Sequence, residues 1–539
     1  GLAVAGAMGG IAPQQAMADA DYGNSHVNVW ANTAPDGSNG KNDAGQNSIV
    51  VGYQNRTDHT AGNDGKVAIG AKNSATGNSA MAMGNRNVAN GGAATAIGAG
   101  NESTAATTLT VGNKNNANAE NAIAIGAYNN QNWTHGSWQT TPKPAGAYSL
   151  AIGNFNDALG SRATAVGAFN TAKGEWATAI GASTVASGNG DVAIGDTSKT
   201  NATGVGHAVA VGWHAETGAA NAVAVGPSAL ASGKNSVSVG TNNNSRVQDT
   251  VTMGQDNDAK TMGGIAIGKN NMVDSTNGGT NHPETRDENS QIAIGRDNTA
   301  THLDTIAIGR DTHATGSGAT VVGARADASG NNAIAIGNSG KNSRRVTASG
   351  VNSIAVGMRS QATGEATIAQ GAAAEAAGNF GIAVGRISKA KANYSQAYGN
   401  EATSSTMGSI AMGALAKGGN DNGAASEGGS VAVGNAAWAT GNRAIAIGSI
   451  RPTEGNLKYP TGVGKDVATG LQGTDYNTQA TANQAIAVGS GARTDAQNSI
   501  TMGTNAKVDA TANGYTYQKT NRRKRNVDIV HGSNPYIWY

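Results

Sequence analysis

A four-residue block ending in glycine recurs along almost the whole chain, and its spacing leaves few folds open. The block reads (Ile/Val/other)-x-(Ile/Val/Met)-Gly, from Ile49-Val50-Val51-Gly52 to Ile500-Thr501-Met502-Gly503. Only Gln370 and Tyr398 break its third position. There are 28 blocks, and 20 of the 27 spacings between their glycines are 14 residues. The other spacings are 18, 27, 17, 27, 20, 21 and 41; the two of 27 read as nearly two repeats and the rest as insertions. Self-similarity at a short fixed period is the signature of a stacked repeat architecture.

One representative unit runs from Ala71 to Gly84, AKNSATGNSAMAMG. It holds two short alternating stretches, each closed by Gly and flanked by Asn or Ser. Alternation over four or five residues is a strand signal, and Gly and Asn supply the positive φ that tight turns need. No unit has the period or the length of a helix. The expected fold is therefore all-β, a parallel β-roll or β-solenoid of about 28 short coils, each with two strands and two turns. Gly70, Gly126, Gly268 and Gly337 typify its glycines. In Ile123-Ala124-Ile125 and Ile334-Ala335-Ile336 the bulky residues share one strand face and Ala takes the other. Both faces are apolar, so burial of both is expected: one inside the coil, the other against a partner, most simply a second copy. The pattern leaves open which face is which.

Composition narrows the function. Glycine is 79 of 539 residues, yet it does not recur every third position and Pro is only 9, which excludes collagen. With no Cys, disulfides and cysteine-held metals are excluded. Lys+Arg of 37 against Asp+Glu of 35 gives no electrostatic case for nucleic acid. Only 4% of residues are aromatic, so a thick core is not expected, and an interior a side chain or two across suits Val, Ile and Ala. No run of about 20 apolar residues could span a membrane as a helix. Residues 1–18 read as the end of a secretory signal peptide, with Ala16-Met17-Ala18 as the cleavage site before Asp19.

Carboxylates are thinly spread, and no Gly-x-Ser-x-Gly elbow, His-Glu-x-x-His helix or phosphate loop occurs, so neither an enzyme nor a cofactor is expected. Calcium-binding rolls need a Gly-Gly-x-Gly-x-Asp repeat that is missing here. An ice-binding Thr array is missing too, since the first block position is Thr164 and Thr178 in two coils but Ile123 and Ile265 in others.

The phrases Asn47-Ser48-Ile49-Val50-Val51-Gly52, Asn352-Ser353-Ile354-Ala355-Val356-Gly357 and Asn498-Ser499-Ile500-Thr501-Met502-Gly503 resemble the head repeat of trimeric autotransporter adhesins, the YadA-type head. Gln361-Ala362-Thr363-Gly364 and Leu230-Ala231-Ser232-Gly233 match its second-strand phrase. The resemblance covers about residues 47–503. It implies a left-handed parallel β-roll, three of which pack around an axis as a homotrimer on the bacterial outer surface. There the head would bind a host matrix protein such as collagen or fibronectin, or other bacterial cells. The family's coiled-coil stalk and membrane barrel are not found, nor is a clear neck phrase; Arg525-Asn526-Val527-Asp528-Ile529-Val530 is a faint echo. Truncation of a longer protein is the expectation, with membrane attachment only through an anchor outside this chain. A non-adhesive structural fibre or surface-layer component is the alternative.

Residues 19–46 then read as an N-terminal cap, 47–503 as the roll, and 504–539 as a C-terminal cap or the start of a neck. Insertions fall at 127–149, 269–291, 338–353, 414–430 and 449–485. Solenoids present insertions at their turns, where binding residues concentrate. Trp133, His135 and Trp138 stand in the first as a contact platform, or as a pin over the roll. Arg344 and Arg345 offer an anion contact, and Arg451 and Tyr459 mark the longest insertion. His282, Glu284, Arg286, Asp287 and Glu288 lack metal-ligand spacing, so a solvated loop and no metal are expected there. The run Arg522-Arg523-Lys524-Arg525 reads as solvated linker, with a processing site or an anionic contact as the other readings.

Overall fold

The computed structural model describes residues 17–19, 27–30, 47–57, 65–132, 141–201, 206–274, 290–340, 343–420, 428–449, 477–511 and 514–518. The chain divides into two compact units, Gly1–Gly263 and Gly264–Tyr539. Each carries half of the repeated blocks, and each is a parallel β-solenoid with no helix among its described residues.

A coil begins with the block strand, for example Thr164–Ala168, turns tightly at Phe169, runs through the two-residue strand Thr171–Ala172 and closes with a wider turn at 173–177. Successive block strands pair in parallel with glycine opposite glycine. In the first unit Leu150, Ile152 and Gly153 stand opposite Thr164, Val166 and Gly167. In the second, Ile306, Ile308 and Gly309 stand opposite Thr320, Val322 and Gly323. Insertions do not disturb this register. The 27-residue spacings hold one coil each rather than nearly two: Gly126 pairs directly with Gly153, and Gly268 with Gly295. The 41-residue spacing likewise sets Ile445 opposite Ile486.

The block glycine is a steric requirement. Gly126 has φ of 121°, and a Cβ there would lie 1.9 Å from the carbonyl oxygen of Gly153 in the next coil. Neighbouring backbones approach too closely for any side chain.

The interior is narrower than the sequence suggested. Ala124, Ala151, Ala165, Ala179 and Ala193 are fully buried, as are their counterparts Ala411, Ala432, Ala446 and Ala487 in the second unit. Among the described residues no Ile or Leu lies inside; the largest buried apolar side chains are valines such as Val50, Val321 and Val346. The Ala face of the block strand therefore lines the coil, and the Ile/Val face looks outward. Where Ser or Thr replaces Ala, the hydroxyls pair: Ser245 Oγ donates to the Val237 carbonyl at 2.7 Å and lies 2.8 Å from Thr252 Oγ1.

At the tight turn of the first unit a buried asparagine ladder takes over. Asn115 Nδ2 donates to the carbonyls of Val111 at 3.0 Å and Gly126 at 2.7 Å, and its Oδ1 accepts from the backbone N–H and side-chain amide of Asn129. The same pattern links Asn73, Asn87, Asn101, Asn129, Asn156 and Asn170. Hydrogen bonding between coils thus supplies what a core of methyl groups supplies only weakly.

Exposed edges at solenoid ends invite aggregation. In the first unit Val27–Trp30 pairs in parallel with the first block strand, and Met17–Asp19 pairs antiparallel to it. In the second unit Lys507–Thr511 pairs antiparallel with Gly514–Gln518. These strands fall near the two expected caps; the first includes the residues proposed for signal cleavage.

Candidate binding surface

Two surface features stand out, a stripe on the block strands and the rows of side chains at the turns. The stripe follows from alternation. With Ala inward, Ile123 and Ile125 point out of the coil, as do Leu150 and Ile152 and then Thr164 and Val166 in the coils that follow. In the second unit Ile334 and Ile336 do the same, and Ile336 is 39% exposed in the single chain. The structural-repeat isoleucines thus form an outer surface rather than an interior. Many coils present two apolar side chains in register on this face, with Thr at the first position in coils such as those of Thr164 and Thr178, and a contiguous apolar stripe of this kind favours a partner.

The turn rows arise because most coils place a residue at positive φ in each turn. Asn and Asp occupy many of these sites, as their short polar side chains allow. Among the described residues seven aromatic ones also do so: Tyr128, Tyr148, Phe155, Phe169, Trp176, Phe380 and Tyr394, with φ between 54° and 61°. All three phenylalanines of the chain are among them. Tyr128 and Phe155 stack with centroids 4.8 Å apart, and Phe155 and Phe169 at 5.0 Å. Lys114 lies over Tyr128 at 5.4 Å. At the other turn Arg162 sits between Tyr148 and Trp176, 5.5 and 4.5 Å from the ring centroids. Left-handed backbone costs a bulky residue about 1–2 kcal/mol, while an aromatic pair returns about 0.5–1.5 kcal/mol. The two nearly cancel, so stability alone does not account for rings that stand in solvent.

The first insertion is tighter than the spacing implied. Tyr128, Asn129, Tyr148 and Ser149 belong to the regular coil, and the excursion lies between Asn130 and Lys143, whose backbones meet at 3.0 Å. Gln131–Asn132 and Thr141–Pro142 pair antiparallel at its base. Trp133, His135 and Trp138 lie outside the described residues, as do Arg451, Tyr459 and the group from His282 to Glu288. Lys143 pairs with Asp157, whose carboxyl is raised above its ordinary value by burial, against the pull of the lysine.

Arg344 and Arg345 are described, and both are engaged within the chain. Arg344 donates to Gln361. Arg345 reaches Asp311 at 3.0 Å and Asp327 at 2.6 Å, and His313 Nδ1 lies 3.0 Å from Asp327. The pair ties its insertion to the neighbouring coils. Sequence reasoning missed both this network and the aromatic rows. The rows had a signal: Tyr128, Phe155 and Phe169 each stand two residues after a block glycine.

The model of one family, described as the YadA head domain repeat, matches this chain at residues 67–86, 75–101, 111–129, 145–170, 172–198, 218–243, 292–312, 314–339, 347–360, 362–386, 425–449, 476–492 and 480–506. Together the matches cover more than half of the sequence. No curated protein matches the chain.

Proposed function

The chain belongs to the YadA head domain repeat family, whose members are surface-exposed, non-enzymatic and adhesive, and on that premise we propose that it is the head of an exported homotrimeric adhesin. The observation that carries the proposal is the outward stripe of Ile and Val in register, such as Ile123, Ile125 and Ile152. Packed around a three-fold axis, three such faces would cover one another and leave the turns as the outer surface. Attachment at the outer membrane belongs to the same proposal.

The proposed ligand is a host matrix protein such as collagen or fibronectin, or another bacterial cell. It is held by many weak contacts along the turn rows, which together give avidity, and by the insertions with Trp133, His135, Trp138, Arg344, Arg345, Arg451 and Tyr459. Deleting residues 131–143 restores the 14-residue spacing and leaves the regular coil in place. Adhesion to immobilised collagen and fibronectin and to bacterial cells should fall severalfold in the deletion while native mass stays constant. Unchanged adhesion would remove that insertion from the binding surface.

A further inference from the structure

In the second unit the outward positions of the block strands are Ile, Val or Met except at Thr320, Gln370, Gln396 and Tyr398. So repetitive a stripe poses a problem of alignment. Two such faces meet nearly as well after one slides past the other by one coil, about 4.8 Å. Only the end coils lose contact. Apolar burial is non-directional, so by itself it does not fix which coils of three copies lie level.

The three larger polar side chains interrupt the stripe in one place. Gln370 ends the strand Ile368–Gln370, and Gln396 and Tyr398 bound the strand Gln396–Tyr398, with the apolar Ile382–Val384 between them. Gln370 stands opposite Val356 on one side and Val384 on the other. Gln396 stands between Ile382 and Ile410, and Tyr398 between Val384 and Met412. Gln370 is exposed in the single chain, and its side-chain amide bonds to no described residue. The Tyr398 hydroxyl reaches Gln396 Oε1 at 3.5 Å.

We propose that Gln370, with Gln396 and Tyr398, forms the alignment layer of the trimer, a contact with the same residues of the other two copies that is made only when the chains lie level. The proposal rests on the trimeric reading of this stripe and adds the residues that set its register. An amide carries both donors and an acceptor. Around a three-fold axis each Gln370 NH2 therefore donates to the oxygen of the next copy and closes a ring. A slide of one coil sets Gln370 against Val356 or Val384 of another copy and leaves the amide buried without a partner, which disfavours the slide about tenfold or more. A polar residue in the apolar seam of a coiled coil fixes register in the same way, at a cost in stability.

The chain has no Cys, so disulfides between introduced cysteines report alignment. Ile308 and Val322 face outward in adjacent coils, opposite one another in the ladder. Full chains carrying Ile308→Cys and full chains carrying Val322→Cys are produced together, oxidised and mapped by mass spectrometry. In level chains position 308 bonds to 308 and 322 to 322. A 308–322 bond needs a slide of one coil, because the offset between coils otherwise exceeds the disulfide reach of about 7 Å. With the polar residues intact, matched bonds should exceed mixed ones about tenfold or more. When both partners also carry Gln370→Val, Gln396→Ile and Tyr398→Val, the mixed bond should rise about fivefold or more. Trimer mass should persist and the melting temperature stay level or rise, because apolar side chains replace desolvated polar ones. Gln370→Val alone should give a smaller rise, and it decides the matter if the triple variant does not assemble. An unchanged ratio overturns the proposal, and so does a lower melting temperature without mixed bonds, the mark of a packing role. A trimer with neither kind of bond puts the contact elsewhere, so the alignment layer falls while the trimer stands. A monomeric parent removes both.

Discussion

Replacing Asn115 by Ala should open the roll locally, and the structure sets the size of the effect. The side-chain amide donates to the Val111 and Gly126 carbonyls and to Asn101 Oδ1, and the side-chain oxygen accepts two bonds, from the backbone N–H and side-chain amide of Asn129. Alanine itself fits this place in a coil, as the fully buried Ala215 and Ala229 show. The cost is then the lost bonds and not a clash. A buried hydrogen bond contributes about 0.5–1.5 kcal/mol net, and an orphaned buried N–H costs about 1–3 kcal/mol. Asn129 N–H would be such an orphan. Other members of the ladder keep their remaining partners, so the expected loss is about 2–4 kcal/mol, confined to the coils on either side. Hydrogen exchange followed by mass spectrometry reads this directly, because stacked repeats open locally. Peptides spanning residues 109–130 should exchange roughly 30- to 1,000-fold faster, while those around Ile486–Val488 stay unchanged. Protection within a factor of two of the parent would refute the ladder as a source of stability.

Three further outcomes follow from the same geometry. Gly126→Ala puts a methyl group 1.9 Å from the Gly153 oxygen at φ of 121°, so the variant should be recovered mainly as aggregate; a soluble variant with the parent's circular dichroism would contradict the close approach. Asp157 has a folded pKa raised by burial, so its contribution favours the fold below the ordinary carboxylate pKa and is lost as pH rises through the raised value. Lys143→Ala removes the group that pulls this pKa down, and carbon-detected NMR should show Asp157 titrating at still higher pH. Arg345→Ala unties the insertion from Asp311 and Asp327, and limited proteolysis should cut near residues 340–345 several times faster, with little change in melting temperature.

The repeat announced most of this architecture before any coordinate did. The spacing of the block glycines gave the coil, its period and its parallel register, because a backbone that approaches within contact of its neighbour tolerates no side chain there. The facing of the block strand was not legible. Ile123-Ala124-Ile125 alternates equally well with either face inward, and only the coil's width decides for alanine. A sharper cue was present three residues after the glycine, where Asn73, Asn87, Asn101 and Asn115 recur. Buried amides at that period mark the ladder and, with it, the inside of the coil. The extent of the insertions was blurred for a related reason: Tyr128 and Asn129 look like loop residues by composition, yet the stack with Phe155 and the bond to Asn115 keep them in the coil. At the surface, Arg344 and Arg345 read as an anion contact because their partners Gln361, Asp311 and Asp327 are distant in sequence and adjacent only through the stacking.

The trimeric head depends on the outward Ile/Val face, and native mass tests it most directly. Light scattering after size exclusion should give about three times the 53.4 kDa of one chain, and Ile152→Asp, which sets a charge on that face, should dissociate it. A stable monomer at working concentration, its apolar stripe open to water, would contradict the trimeric head.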